Sequence, residues 1–309
     1  MLSVEFYAAS HIGRVRKSNE DNYLVLELKS SKMLTADNGM DELRFCSGSF
    51  SIEEETDGVI LAVSDGMGGA LAGEVASKMA VETIGKEILK MSKSSSHEGM
   101  PLIGKLFEAT FRANTLIHQE QRKNPEYRGM GATLTGVSIS LDDVSFVQVG
   151  DSRAYLIRND KIQQLTKDQS LVQQLVDAKQ ITLEDAENHI MRNVILQALG
   201  AQSDIRPEGV RLVAARGDIL LICSDGLSSK LRSSDLHRIT LDSIENLEKA
   251  CYNLVDEANK RGGEDNITVI LARLSGSALS ELTEEEIEKE SIEIEYLSIH
   301  DTAEENIES

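Results

Sequence analysis

Two octets of the chain nearly repeat one another: VILAVSDG at 59–66 and ILLICSDG at 219–226. Each is an apolar run that ends in Ser-Asp-Gly, so each predicts a buried strand with a carboxylate, Asp65 or Asp225, at its carboxyl end. Three further acidic points lie at strand ends, one after a strand and two before. Asp265 stands in GGEDN just before the apolar run ITVILARL. Asp151 follows the run VSFVQVG, and Glu20 and Asp21 precede NYLVLEL. Acids gathered at strand ends repel one another and raise each other's pKa unless a cation sits between them. An all-oxygen donor set suits a hard divalent ion such as Mg²⁺ or Mn²⁺, and no His or Cys spacing here offers a softer site. Asp-Gly is also ordinary turn chemistry. That explains any one of these acids equally well, but poorly explains five at strand edges, two of them inside matching octets.

A cation site for chemistry on an anion also needs a group to hold the anion. Arg16, in GRVRKSNED, could fork onto phosphate oxygens, though Arg14, Arg16 and Lys17 also read as a basic surface turn. Other constellations fail on spacing. DGMGGALAGE lacks the Gly-Lys-Ser/Thr of a P-loop and does not fit G-x-G-x-x-G, because position 71 is Leu. No G-x-S-x-G elbow occurs, and the six histidines are scattered. Cys46, Cys223 and Cys251 form neither a disulfide framework nor a zinc site, and Cys223, inside ILLIC, reads as a small core residue.

The elements that must position these acids read as short strands and a few long helices. Strands are expected at 2–10, 22–28 and 58–66, and again from ATLTGVSIS through KIQQL. Helical spacing runs over 71–91 and 101–122. Residues 29–57 show no period and predict a functional loop or a weak hairpin. Residues 169–200 look helical without the apolar density of a core helix, as a surface flap would. Two strands, a helix at 242–261 and a last strand at 266–274 complete the order. Without strict βαβ alternation, the reading is α+β with antiparallel sheets.

The chain has 309 residues, 40% hydrophobic, with a formal charge of −20. This excludes wholesale disorder and argues against a nucleic-acid partner, which needs a basic surface. No run is long enough to span a bilayer and no signal peptide opens the chain, so no membrane association and a cytoplasmic location are expected. Two units are expected: a domain over 1–275 and an acidic tail over 276–309. The tail carries 12 acids and one base, Lys289, and so accounts for −11 of the total charge. Its composition predicts a solvated segment, although SIEIEYLSI (291–299) alternates as an added edge strand would.

Taken in order, GRVRKSNED, LAVSDGMGG, MGATLT, VGDSRAY, LTKDQS, ILLICSDGL and GGEDNITV closely resemble the metal-dependent Ser/Thr protein phosphatase family (type 2C, or PPM) in its bacterial form. The resemblance covers about residues 1–274. It implies a four-layer αββα sandwich of two antiparallel sheets flanked by helix pairs, with two Mn²⁺ or Mg²⁺ ions, or three, in a channel between the sheets. By the resemblance, Asp65, Asp225 and Asp265 hold the first ion, and Asp65 with the Gly66 carbonyl holds the second. Glu20 and Asp21 reach ion-bound waters, Asp151 and Asp225 form the third site, Arg16 binds the phosphate and Asn266 steadies the surroundings. Residues 169–200 match the family's flap.

The implied reaction is hydrolysis of phosphoserine and phosphothreonine in proteins by a metal-bridged hydroxide, without a phosphoenzyme. Implied partners are phosphorylated proteins and a Ser/Thr kinase that the enzyme opposes, and a monomer is expected. One departure stands out. Bacterial members commonly carry a His directly after DGMGG, and a second common His position is right after the Asp-Gly, whereas this chain has Ala70 and Met67 there. The rival reading is a catalytically silent adaptor of the same fold that binds phosphoproteins or a kinase. Loss of the metal acids would favour it, and none is lost.

Overall fold

The apolar runs are strands buried on both faces, so their alternate residues serve different cores. A computed structural model describes residues 1–36, 42–141, 143–281 and 289–292. The first strands are β1 (Leu2–His11), β2 (Asp21–Glu27), β3 (Lys32–Thr35), β4 (Leu43–Ile52) and β5 (Val59–Met67). Helices α1 (Ala70–Ser92) and α2 (Leu102–Lys123) follow, then β6 (Gly131–Ala132), β7 (Leu134–Ile139), β8 (Val144–Val149), β9 (Arg153–Arg158) and β10 (Lys161–Gln164). Short α3 (Leu171–Asp177) and α4 (Leu183–Glu187) lead to β11 (Glu208–Leu212), β12 (Ile219–Cys223) and α5 (Asp225–Ser228). The order closes with α6 (Ser233–Leu241), α7 (Leu247–Lys260), β13 (Ile267–Ser275) and β14 (Lys289–Ile292).

One sheet has the order β10-β9-β12-β13-β1-β4, and the other β14-β11-β8-β7-β5-β2-β3, with β6 beside β5. Every pairing within them is antiparallel. On β5, Val59, Leu61 and Val63 face the core between the sheets, while Ile60 and Ala62 face α1 and α2. On β12, Leu220 and Ile222 join the same central core, while Ile219, Leu221 and Cys223 meet α6 and α7. This period-two sorting builds the αββα layers with one core between each adjacent pair. Cys223 is fully buried in that packing, as its apolar neighbours imply.

Residues 29–57 are neither one loop nor a hairpin of their own: β3 folds back on β2 in one sheet and β4 pairs with β1 in the other. The segment therefore stitches the two sheets together. Its period is weak because β3 and β4 are edge strands, largely wet on one side. Residues 169–200 hold only the short α3 and α4, and the rest is irregular. The last long helix begins at Leu247, where Asn246 caps it by accepting the Lys249 N–H at 2.9 Å, and α6 precedes it.

Within the tail, Leu279 packs against the central core, and the Ser280 carbonyl accepts the Arg216 N–H at 2.8 Å. Lys289–Ile292 pairs with β11. Only the first two residues of SIEIEYLSI fall within the described residues. Among the described residues, no helix is long and apolar enough to cross a membrane.

Candidate metal centre

Antiparallel pairing brings the acidic strand ends together. β2 starts where β5 ends, β8 runs parallel to β5 two strands away, and β12 ends where β13 starts. Asp21, Asp65 and Asp151 therefore collect at one end of one sheet, and Asp225 and Asp265 at the same end of the other. Asp21 and Asp65 are direct cross-strand partners. Like charges in that position are unfavourable on their own, so the arrangement needs either protons or a cation.

The backbone is fixed by small residues and hydroxyls. A Cβ on Gly66 would run into the Gly73 carbonyl, and one on Gly226 into the Asn266 carbonyl. Only glycine leaves room for these close backbone approaches. Thr133 Oγ1 accepts the Asp65 N–H at 3.0 Å, and Ser64 Oγ donates to the Thr133 carbonyl at 2.7 Å. Ser224 Oγ donates across the sandwich to Asp21 Oδ2 at 2.7 Å and accepts the Thr268 N–H at 3.0 Å. Asn266 donates to the carbonyls of Ile12 and Ser18 and accepts the Glu20 N–H at 2.8 Å, so it pins the loop that carries Arg16 and Glu20. Arg153, two residues after Asp151, clamps Asp168 through Nε at 2.9 Å and Nη2 at 2.7 Å.

The electrostatics follow from burial and crowding. Burial, with Asp225 and Asp265 nearby, pushes Asp21 up to about 7 against the help of Ser224 and Thr268. Burial first, then Asp225 and Asp168, push Asp151 up to about 8, with Arg153 pulling the other way. Asp65 is held well above the usual carboxylate range by burial and by the charges of Asp21, Asp225, Asp151 and Asp265. Asp225 is raised by burial and Asp265, with a shared hydrogen bond to Asp65 offsetting part of the rise. Burial also raises Glu20, which lies to one side against Gly73 and feels Arg16, Asp265 and Glu74. Arg16, half-exposed at the mouth, pairs with Asp265 at 2.8 Å.

Among the described residues, no three His, Cys, Asp or Glu side chains converge into a finished ligand set. The donors nevertheless fit hard divalent ions. Asp21 Oδ1, Asp151 Oδ1 and Asp225 Oδ1 are buried with no hydrogen-bond partner. Such atoms carry a heavy desolvation penalty that an oxygen-seeking cation would remove. Sequence reasoning missed Ser224, Thr133 and Arg153 as supports. The serine of each Ser-Asp-Gly was in plain view as a candidate.

Residues 44–260 match the protein phosphatase 2C family. With the sandwich and its carboxylate-lined end, this places the chain plainly: it belongs to that family of metal-dependent Ser/Thr protein phosphatases. The chain is 34% identical over 262 residues to the serine/threonine phosphatase stp of Listeria innocua, covering 84% of this chain and 91% of that protein. It is 36% identical over 213 residues to the serine/threonine protein phosphatase PstP of Mycobacterium tuberculosis, covering 69% of this chain but only 40% of that longer relative. The solved catalytic domain of PstP, in complex with two manganese ions, superposes with a TM-score of 0.70 at 30% identity, covering 89% of this chain and 100% of that one.

Proposed function

We propose that this chain is a cytoplasmic, monomeric phosphatase that removes phosphate from phosphoserine and phosphothreonine in proteins and opposes a Ser/Thr kinase. The observation that carries the reading is the set of three orphaned, buried carboxylate oxygens on Asp21, Asp151 and Asp225. Asp65, Asp225 and Asp265 would hold one Mn²⁺ or Mg²⁺ ion, Asp65 and the Gly66 carbonyl a second, and Asp151 with Asp225 a third. Glu20 and Asp21 would order water beside them. When bound, such ions supply Lewis-acid activation of water and neutralise phosphoryl charge.

The chain's own residues do the rest. Ser224 holds one Asp21 oxygen and leaves the other facing the site. Arg16 lies at the mouth on Asp265, and with Asp265 given over to an ion its fork would receive a phosphate dianion. A phosphate held there would lie beside the acidic strand ends, and positioning and charge neutralisation are most of what the reaction asks. The direct test is release of inorganic phosphate from a phosphothreonine peptide. Release with Mn²⁺ and none with excess chelator is expected. No release from wild-type protein in excess Mn²⁺ would overturn the reading.

A further inference from the structure

The flap carries a surface that the chemistry above does not use. Ile190 is 94% exposed, Met191 47%, Val194 38% and Leu196 39%, four large apolar side chains within seven residues. Among the described residues outside the flap, exposed side chains of this kind are scattered singly. A clustered apolar patch of this sort marks an interaction surface. Its root touches the catalytic end. The Leu196 N–H donates to the Gln169 carbonyl at 2.8 Å, and Gln169 exchanges hydrogen bonds with Gly150, next to Asp151. Arg192 lies within the patch. Arg206 lies beside it, its N–H donating to Gln197 Oε1 at 2.6 Å. Neither guanidinium has an ion-pair partner among the described residues, in a chain of charge −20.

The register of the last strand shows what can reach this patch. β11 begins at the catalytic end, with Glu208 opposite Gln148, and β14 runs antiparallel to β11 with Ile292 opposite Gly209. The chain therefore leaves β14 heading toward the catalytic end. Arg206 is three residues beyond Gly209, about 10 Å at roughly 3.3 Å per residue. The segment 293–309 holds six acids, no Lys or Arg, and the large apolar residues Ile294, Tyr296, Leu297, Ile299 and Ile307.

We propose that the acidic segment 293–309 docks on the flap face of its own chain, with its carboxylates on Arg192 and Arg206 and its apolar residues on the Ile190–Leu196 patch. It thereby competes with phosphoprotein substrates for that face. The competition rests on the phosphatase reading, whereas the docking does not. A tether this short presents the segment at an effective concentration on the order of millimolar, so even weak contacts suffice. Small phosphate esters need only the channel and escape the competition.

The test compares the full chain with one ending at Ile292, which keeps Leu279 in the core and β14 on β11. Amide hydrogen exchange of residues 189–197 is the readout that needs no activity. Truncation should speed exchange there, and Arg192→Ala with Arg206→Ala in the full chain should do the same. In steady state with Mn²⁺, truncation should lower KM for a phosphoprotein by about two- to tenfold at low salt, with the gap closing at high salt. Turnover of an aryl phosphate should stay unchanged. A synthetic 293–309 peptide should restore both protection and KM. Unchanged exchange on truncation, or protection that depends on protein concentration and so arises between copies, overturns the docking. Absence of turnover on every substrate, with flap protection still lost on truncation, would instead strike the phosphatase reading alone.

Discussion

The two Ser-Asp-Gly octets have almost the same sequence and quite different settings. In the first, β5 runs on through Asp65 and Gly66 to Met67, so Asp65 is a strand residue paired with Asp21. In the second, β12 stops at Cys223 and Asp225 opens the short α5. Ser64 binds a carbonyl of its own sheet, whereas Ser224 reaches Asp21 in the opposite sheet. Both glycines are needed because a neighbouring carbonyl fills the space a Cβ would take. The contrast separates two jobs. An apolar octet ending in Ser-Asp-Gly delivers a carboxylate to a strand end. The element that the next residues form, strand or helix, sets what the serine holds: a carbonyl of its own sheet or Asp21 in the opposite one.

The contrast can be broken from either side. Asp65→Asn and Asp225→Asn should each cut Mn²⁺-dependent turnover more than about 100-fold, since even outer partners of a metal count on a scale of 10- to 100-fold. Scanning calorimetry in chelator should show melting temperatures held or raised, because each change removes a repulsive charge. Near-wild-type turnover in either variant would remove its octet from the site.

Next come the serines. Ser224→Ala and Ser64→Ala should each cost about 1–2 kcal/mol in denaturant unfolding, the scale of a lost buried hydrogen bond. Only Ser224→Ala should weaken Mn²⁺ affinity, by about tenfold, because it alone orients a carboxylate of the site, Asp21, beside the ions. Equal effects on affinity would mean that the cross-sheet bond carries no orienting role.

The raised carboxylates set a pH dependence. The folded protein keeps protons on Asp21 and Asp151 up to about 7 and about 8, whereas the unfolded chain loses them near 3.8. More protons bound in the native state means that stability falls as pH rises through this window. The melting temperature in chelator should therefore drop between pH 5 and pH 8, here roughly the span between unfolded and folded values. The gain from Mn²⁺ should grow over the same range. A flat profile would contradict the protonated cluster.

The smallest effect concerns the helix start at position 70. Ala70→His should raise turnover of phosphoserine peptides more than that of aryl phosphates, by about tenfold at best, because only the poor alkoxide leaving group needs a general acid. Equal gains on both would mean that another group already supplies the proton.

Much of the site was readable because its signals are local. A doubly buried strand must be nearly all apolar, so 59–66 and 219–226 announced themselves, and the acids at their ends could be named. Arg16 was readable as a candidate anion binder, but not as the partner of Asp265, because that contact spans 249 residues. The supports were hidden for the same reason: Ser224 meets Asp21 and Asn266 meets Glu20 only once the sheets are stacked. β4 was invisible because an edge strand such as LRFCSGSFSI exposes much of its length and blurs the apolar period. The flap gave a helical pattern too sparse in apolar residues to hold a helix against a core.

The central claim is that the clustered acids of the two octets together hold divalent ions in place of protons. Calorimetric titration with Mn²⁺ at pH 7, repeated in two buffers of different ionisation enthalpy, tests it most directly. We expect the wild type to bind about two ions with net proton release, and Asp225→Asn to bind fewer ions and release fewer protons. Binding without proton release, or an unchanged isotherm in Asp225→Asn, would contradict the account.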